Sequence, residues 1–105
     1  MQKVLINDTV SIEVSEAENW LSWMRTIVLP LAKNSKSIES YRLTKIRDEE
    51  AQSGITYACQ FICPDNEAYS DFINNFDLKF QNEQLNRFRG KFGAFRSVLE
   101  ILDEG

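Results

Sequence analysis

The sequence predicts an α+β fold whose strands and helices follow one another in the order βαββαβ. Two stretches of alternating apolar residues lie at the ends of the chain, and a third and fourth form a hairpin pattern in the middle. Between them lie two stretches with apolar residues at helical spacing. With 105 residues, 43% of them hydrophobic and 27% charged, we expect a single globular domain covering residues 1–105.

The first strand is predicted from Val4 to Val14. Apolar residues occupy alternate positions along it, and Asp8 interrupts this row. A bulge or an irregular start of the strand would explain the interruption. Ser15 and Glu18 have the spacing of a capping box, which predicts that a helix begins after Ser15.

The first helix is predicted to bury one apolar stripe. Its members follow at helical spacing: Trp20, Trp23, Met24, Ile27 and Leu31, with Leu21 and Val28 widening the stripe. Pro30 should kink or stop the helix, because its ring clashes with the preceding turn. Trp20 and Trp23 are also candidates for the wall of a ligand pocket, although core packing is the interpretation we favour.

The middle of the chain predicts an antiparallel hairpin. Strands at residues 38–47 and 55–62 flank a charged turn at residues 48–54. Cys59 lies on the second of these strands, and Cys63 follows directly after it. They would lie about 13 Å apart at ~3.3 Å per residue, whereas a disulfide needs Cα atoms within ~7 Å. We therefore expect reduced thiols, and two cysteines without any histidine cannot form an ordinary structural zinc site.

The second half of the chain predicts a helix and a final strand. Asp65 has the position of an N-cap, Asp77 could cap a further helical piece, and Gly90 fits the C′ position after the helix. The last strand is predicted from Phe92 to Leu102. Alternate side chains of this strand face opposite sides of the sheet. We assign the bulkier set to the core, namely Phe95, Leu99 and Ile101, which places Arg96, Val98 and Glu100 on the other face.

Right-handed crossovers would place both helices on one face of a four-stranded antiparallel sheet, which is the ferredoxin-like arrangement. The opposite face, which we call the open face, is predicted to mix polar and apolar side chains, and a homodimer interface enclosing a small polar space would explain that mixture. The candidate ligand-binding or interface residues on it are Asn7, Arg42, Gln60, Arg96 and Glu100. Arginine forks suit carboxylates. The alternative, which we favour, is that Arg96 pairs with Glu100 or with an acid of the partner subunit.

Charge and composition argue against several classes of function. The net charge of −4 disfavours binding to nucleic acid. No apolar run approaches the ~20 residues of a membrane span, and no signal peptide is recognisable, so we expect a cytoplasmic protein without membrane contact. The chain has no histidine and no glycine-rich phosphate loop. We therefore assign no catalytic residue, no metal ligand and no cofactor.

Three stretches of the chain carry a family resemblance. They are residues 20–24 (WLSWM), 55–61 (ITYACQF) and 92–100 (FGAFRSVLE). With them the chain resembles the bacterial family called domain of unknown function 4286, and more widely the dimeric α/β-barrel superfamily, in which two ferredoxin-like sheets face each other. The resemblance implies a fold and a dimer, and it implies no activity. Relatives commonly have a histidine near the end of the first helix, where this chain has Val28-Leu29-Pro30.

Two functional hypotheses follow, and the sequence leaves open whether the protein is an enzyme. The first is a non-enzymatic homodimer that binds a small molecule or a protein partner. The second, which the wider superfamily suggests, is a cofactor-free monooxygenase- or isomerase-like enzyme. In that case Arg96, Gln60 and Asn7 would position a small oxygenated substrate, and Trp20 or Trp23 would line its pocket.

Overall fold

The computed structural model describes residues 2–47 and 54–105, so most of the predicted turn at residues 48–54 lies outside the described residues. Four strands are present: β1 (Val4–Glu13), β2 (Ser40–Lys45), β3 (Gly54–Cys63) and β4 (Phe92–Glu100). The helices are α1 (Val14–Trp23), α2 (Leu29–Asn34), α3 (Asn66–Asp71) and α4 (Leu78–Phe88). A π-helical segment joins α1 to α2 (Met24–Val28), and another joins α3 to α4 (Phe72–Asp77). We call residues 14–34 the first composite helix and residues 66–88 the second.

The sheet has the strand order β2-β3-β1-β4, with antiparallel pairing throughout. This order confirms the predicted ferredoxin-like fold. Pairing along β1 is continuous on both sides, and Asp8 lies opposite Cys59 on β3 and opposite Arg96 on β4. The expected bulge at Asp8 is therefore wrong, and this aspartate takes a regular position on the face that packs against the helices.

The first composite helix begins two residues earlier than predicted. Helix α1 starts at Val14, and no side chain of the described residues caps it. Glu13 still belongs to β1, and its backbone N–H donates to the Lys91 carbonyl at 2.9 Å. Because the strand runs directly into the helix, Ser15 already lies in the first helical turn. The predicted capping box of Ser15 and Glu18 is wrong for that reason.

The π segment changes which side chains this helix buries. One buried row follows at intervals of four, namely Trp20, Met24, Val28 and Ala32, and Ala17, Trp23 and Leu29 are buried beside it. Ile27 and Leu31, which the regular spacing assigned to the core, are 45% and 57% exposed. The Leu29 N–H donates to the Met24 carbonyl, the wider bonding of a π turn. The helix continues past Pro30 to Asn34, because the widened turn accommodates the proline ring.

The second composite helix begins and ends much as its sequence indicates. The Asp65 carboxylate accepts a hydrogen bond from the Ala68 N–H at 2.8 Å, which confirms the predicted N-cap. Gly90 follows the helix with φ of 75°, in a turn closed by a 2.9 Å bond from the Lys91 N–H to the Phe88 carbonyl. Asp77 does not begin a new helix, since the backbone stays helical through it.

The core lies between the sheet and the two composite helices. Phe61 of β3 is fully buried, and its ring centroid lies 5.2 to 6.3 Å from those of Phe72, Phe76 and Phe80. Cys59 and Cys63 are buried free thiols, as expected from their spacing. Within residues 2–47 and 54–105, no helix is both long and apolar enough to cross a membrane.

Candidate functional site

The five predicted site residues are divided between the two faces of the sheet. Asn7, Gln60 and Arg42 lie side by side on β1, β3 and β2, on the open face. Arg96 pairs with Asp8, and Glu100 pairs with Val4, so both belong to the face that packs against the helices. The prediction that Arg96 and Glu100 share the open face is therefore wrong.

The charge of Asp8 determines which side chains of β4 face the helices. This aspartate is only 5% exposed, and a buried carboxylate needs a counter-ion and hydrogen bonds. Arg96 supplies both from the directly opposite position: its Nε lies 2.7 Å from Asp8 Oδ1, and its Nη2 lies 3.0 Å from Asp8 Oδ2. With Arg96 facing the helices, Phe95 and Leu99 must face the other way.

A second carboxylate completes the pairing of Arg96. Asp77, from the second π segment, accepts from Nη1 at 2.9 Å and from Nη2 at 2.8 Å. Four hydrogen bonds thus involve the guanidinium, which has five N–H donors. Burial alone would lower the pKa of Arg96, but its hydrogen bonds with Asp8 and Asp77 outweigh burial and raise that pKa. The expected pairing of Arg96 with Glu100 is replaced by this pairing with two aspartates.

One further buried polar side chain, Gln84, lies near this cluster. Gln84 of α4 is 2% exposed, and its Oε1 accepts a 2.9 Å hydrogen bond from the Trp20 indole N–H. A cavity of about 230 Å³ lies beside Asp8, Asp77, Gln84 and Arg96. In the sequence, this cluster is indicated by Asp8, which interrupts a row of alternate apolar residues on β1. The sequence of the second helix does not distinguish Gln84 from the exposed polar residues around it.

The open face combines paired polar side chains with exposed apolar ones. Gln60 Nε2 donates to Asn7 Oδ1 at 3.1 Å, and the hydroxyls of Ser11 and Thr56 lie 2.9 Å apart. On β4, Phe95 is 65% exposed and Leu99 is 46% exposed. Arg42 is exposed on the edge strand β2. The face is thus more apolar along β4 than the sequence predicted.

The two tryptophans predicted as pocket walls occupy different surroundings. Trp20 is fully buried, and its ring stacks at a tilt on Tyr57 with centroids 4.8 Å apart. Trp23 packs against Phe80 and Phe88 and lines a surface groove between the two composite helices. In the described ranges, no cluster of three or more His, Cys, Asp or Glu side chains has a metal-binding arrangement.

The chain belongs to the family described as a domain of unknown function, DUF4286, whose family model matches residues 3–102. This match confirms the family resemblance of the sequence and covers nearly the whole chain. A search of curated proteins found no match.

Solved structures share the fold at low sequence identity. A dimeric ferredoxin-like protein from an uncultured marine organism superposes with a TM-score of 0.84, at 11% identity and over 100% of both chains. A protein of unknown function from Nitrosomonas europaea gives 0.76, at 11% identity over 100% of this chain and 94% of that one. SnoaB, a cofactor-independent oxygenase from Streptomyces nogalater, gives 0.72, at 11% identity over 97% and 95%. At such identities the likeness shows the fold alone.

Proposed function

We propose that this DUF4286 chain acts as a homodimeric α/β-barrel domain that binds a small molecule or a protein partner and does not transform it. The observation that supports the proposal is the exposure of Phe95 and Leu99 on the open face of the sheet. A contiguous apolar patch on a protein surface marks a site of interaction, and Phe95 and Leu99 supply the apolar side chains of such a patch here.

The composition of the open face suits burial against a second copy. Leu5 and Ile62 are half-buried beside the polar pairs and add to the apolar area. Asn7 with Gln60 and Ser11 with Thr56 already share hydrogen bonds, so covering them leaves fewer polar atoms without partners.

Low charge makes this face suitable for a symmetric contact. A two-fold interface brings the same patch of both subunits together, and like charges in it would repel. The four described strands place only two charged side chains on the open face, Glu13 and Arg42, one of each sign. The dimeric ferredoxin-like protein with the same fold adds support for a second copy as the occupant.

The buried arginine cluster favours binding over catalysis. The Arg96 guanidinium is shared between two aspartates, so it has little capacity left to hold a substrate carboxylate or carbonyl. Asn7 and Gln60 lie on the opposite face of the sheet and cannot act on the same substrate as Arg96. The similarity to SnoaB suggests the oxygenase alternative, but the three residues expected to position its substrate do not converge.

Sedimentation velocity of the wild-type chain and two variants tests the homodimer. The wild-type chain and Leu78→Asp should sediment as dimers at micromolar concentration, and Phe95→Asp should sediment as a monomer. Leu78 is the matched control, because it is 66% exposed on α4 and Phe95 is 65% exposed on β4. A folded Phe95→Asp variant that stays dimeric would place the interface elsewhere, and a monomeric wild-type chain would overturn the proposal.

A further inference from the structure

We propose that the groove between the two composite helices binds an elongated apolar molecule that ends in a carboxylate. This inference deepens the proposed binding function, on which it rests, by naming a site and a class of ligand. The groove is separate from the open face of the sheet and from the arginine cluster.

The walls of the groove are apolar and come from both composite helices. Trp23, Ile27 and Leu31 line one side, and Phe76 and Phe80 line the other. The volume is about 430 Å³, within the range of small-molecule sites in proteins. Ile27 and Leu31 are 45% and 57% exposed there, so an apolar ligand would cover side chains that now contact water.

Trp23, which lines the groove, has a hydrogen-bond donor without a partner among the described residues. Trp23 is 5% exposed, and its indole Nε1 is buried with no hydrogen-bond acceptor in the part of the chain that the structure describes. Trp20, on the same helix, donates its indole N–H to Gln84. A buried donor without an acceptor is costly, and a ligand with an accepting end would satisfy the Trp23 N–H.

Lys79 is the charged side chain of the groove to which an anionic end would bind. Of the two acids in the lining, Glu83 is paired with Arg87 at 2.8 Å, whereas Asp71 accepts hydrogen bonds from the neutral side chains of Ser37 and Asn75. Lys79 also lines the groove and has no ion pair among residues 2–47 and 54–105. The groove thus contains an ammonium with no bound carboxylate, and one of its tryptophans has a donor with no acceptor; together they favour a carboxylate as the polar end of the ligand.

Two-dimensional NMR of the uniformly 15N-labelled chain tests the site with decanoate as the probe. The chain has two tryptophans, so the spectrum contains two indole N–H signals, which a Trp23→Phe variant assigns. Decanoate should shift the Trp23 signal saturably and leave the Trp20 signal in place, because the Trp20 N–H already has an acceptor. Decan-2-one, with a similar chain and a neutral carbonyl, should bind more weakly, and decylamine most weakly.

Matched variants separate the site from unspecific adsorption of the probe. Lys79→Met should weaken decanoate binding about threefold to fivefold, as for loss of an exposed ion pair. Lys33→Met, which removes a lysine outside the groove, should leave the binding unchanged. Leu31→Gln should weaken binding, whereas Leu78→Gln should not, since Leu78 is exposed outside the groove.

The outcomes distinguish this site from the homodimer. A Trp23 signal that does not move at millimolar decanoate, or decylamine binding as tightly as decanoate, overturns the groove proposal. Sedimentation of the same sample reports the dimer independently. A monomer whose Trp23 signal shifts would overturn the homodimer and keep the groove, whereas a dimer without a shift would overturn the groove alone.

Discussion

Asp8 and Arg96 lie directly opposite each other on β1 and β4 and form a two-pronged ion pair on the helix-facing side of the sheet. Asp8 is buried on β1 between the core positions Ile6 and Val10, and Asp77 from the second composite helix binds the same guanidinium. This cluster connects the edge strand to the helix layer. It also fixes which side of β4 faces outward.

Replacing Asp8 with asparagine should destabilise the fold by about 2–4 kcal/mol, because a largely buried guanidinium loses one of its two anions. Urea unfolding monitored by circular dichroism measures the change. Glu83→Gln is the control, because it removes the exposed ion pair with Arg87 and should change the unfolding free energy by about 0.5 kcal/mol or less. Equal effects of the two substitutions would contradict a structural role for Asp8.

Arg96→Leu should be more destabilising than Asp8→Asn. It leaves two poorly solvated carboxylates, those of Asp8 and Asp77, without the cation that they share. Removing an exposed arginine in Arg89→Leu should have little effect on the same unfolding curve. If Arg96→Leu unfolded at the same urea concentration as the wild type, the cluster would not contribute to stability.

The Cys63 thiol should make stability depend on pH in the alkaline range. Burial raises its pKa from 9.0 to about 11, with a smaller contribution from the negative charge of Asp65. The folded chain therefore retains a proton that the unfolded chain loses between these values, so the free energy of unfolding falls as pH rises from 9 to 11.

A Cys63→Ala variant isolates this contribution from other alkaline groups. Its unfolding free energy should fall less steeply over the same pH range, by on the order of 2 kcal/mol in total for a pKa difference of about two units. Urea unfolding at pH 8, 9, 10 and 11 provides the comparison. Parallel pH profiles of the wild type and the variant would show that the thiol does not titrate differently on folding.

The sequence predicted the element order well because its apolar patterns are long and regular. Every second residue of β1 from Val4 to Ile12 faces the helices, and β3 alternates in the same way. The N-cap at Asp65 and the turn at Gly90 follow from side-chain chemistry within a few residues. Local rules are sufficient for such features.

The face of β4 could not be predicted by the same rules. Assigning the bulkier parity to the core presumes that a strand has one apolar face, whereas β4 carries Phe95 and Leu99 on the open face. Only the partner of Asp8, 88 positions away, identifies the inward side. Likewise, the π segment before Pro30 rotates Ile27 and Leu31 out of the core. The spacing of apolar residues expected for a regular α-helix does not indicate where such a wider turn occurs.

The central claim is that a second copy of the chain covers the open face, and hydroxyl-radical footprinting of the unmodified protein tests it most directly. Phe95 is 65% exposed in the single chain, and Tyr41, on the other face of edge strand β2, is 43% exposed. With each rate normalised to the unfolded chain, Phe95 should be oxidised more slowly than Tyr41 at high protein concentration and should become more reactive on dilution. Oxidation of Phe95 at least as fast as that of Tyr41 at every concentration would contradict the claim.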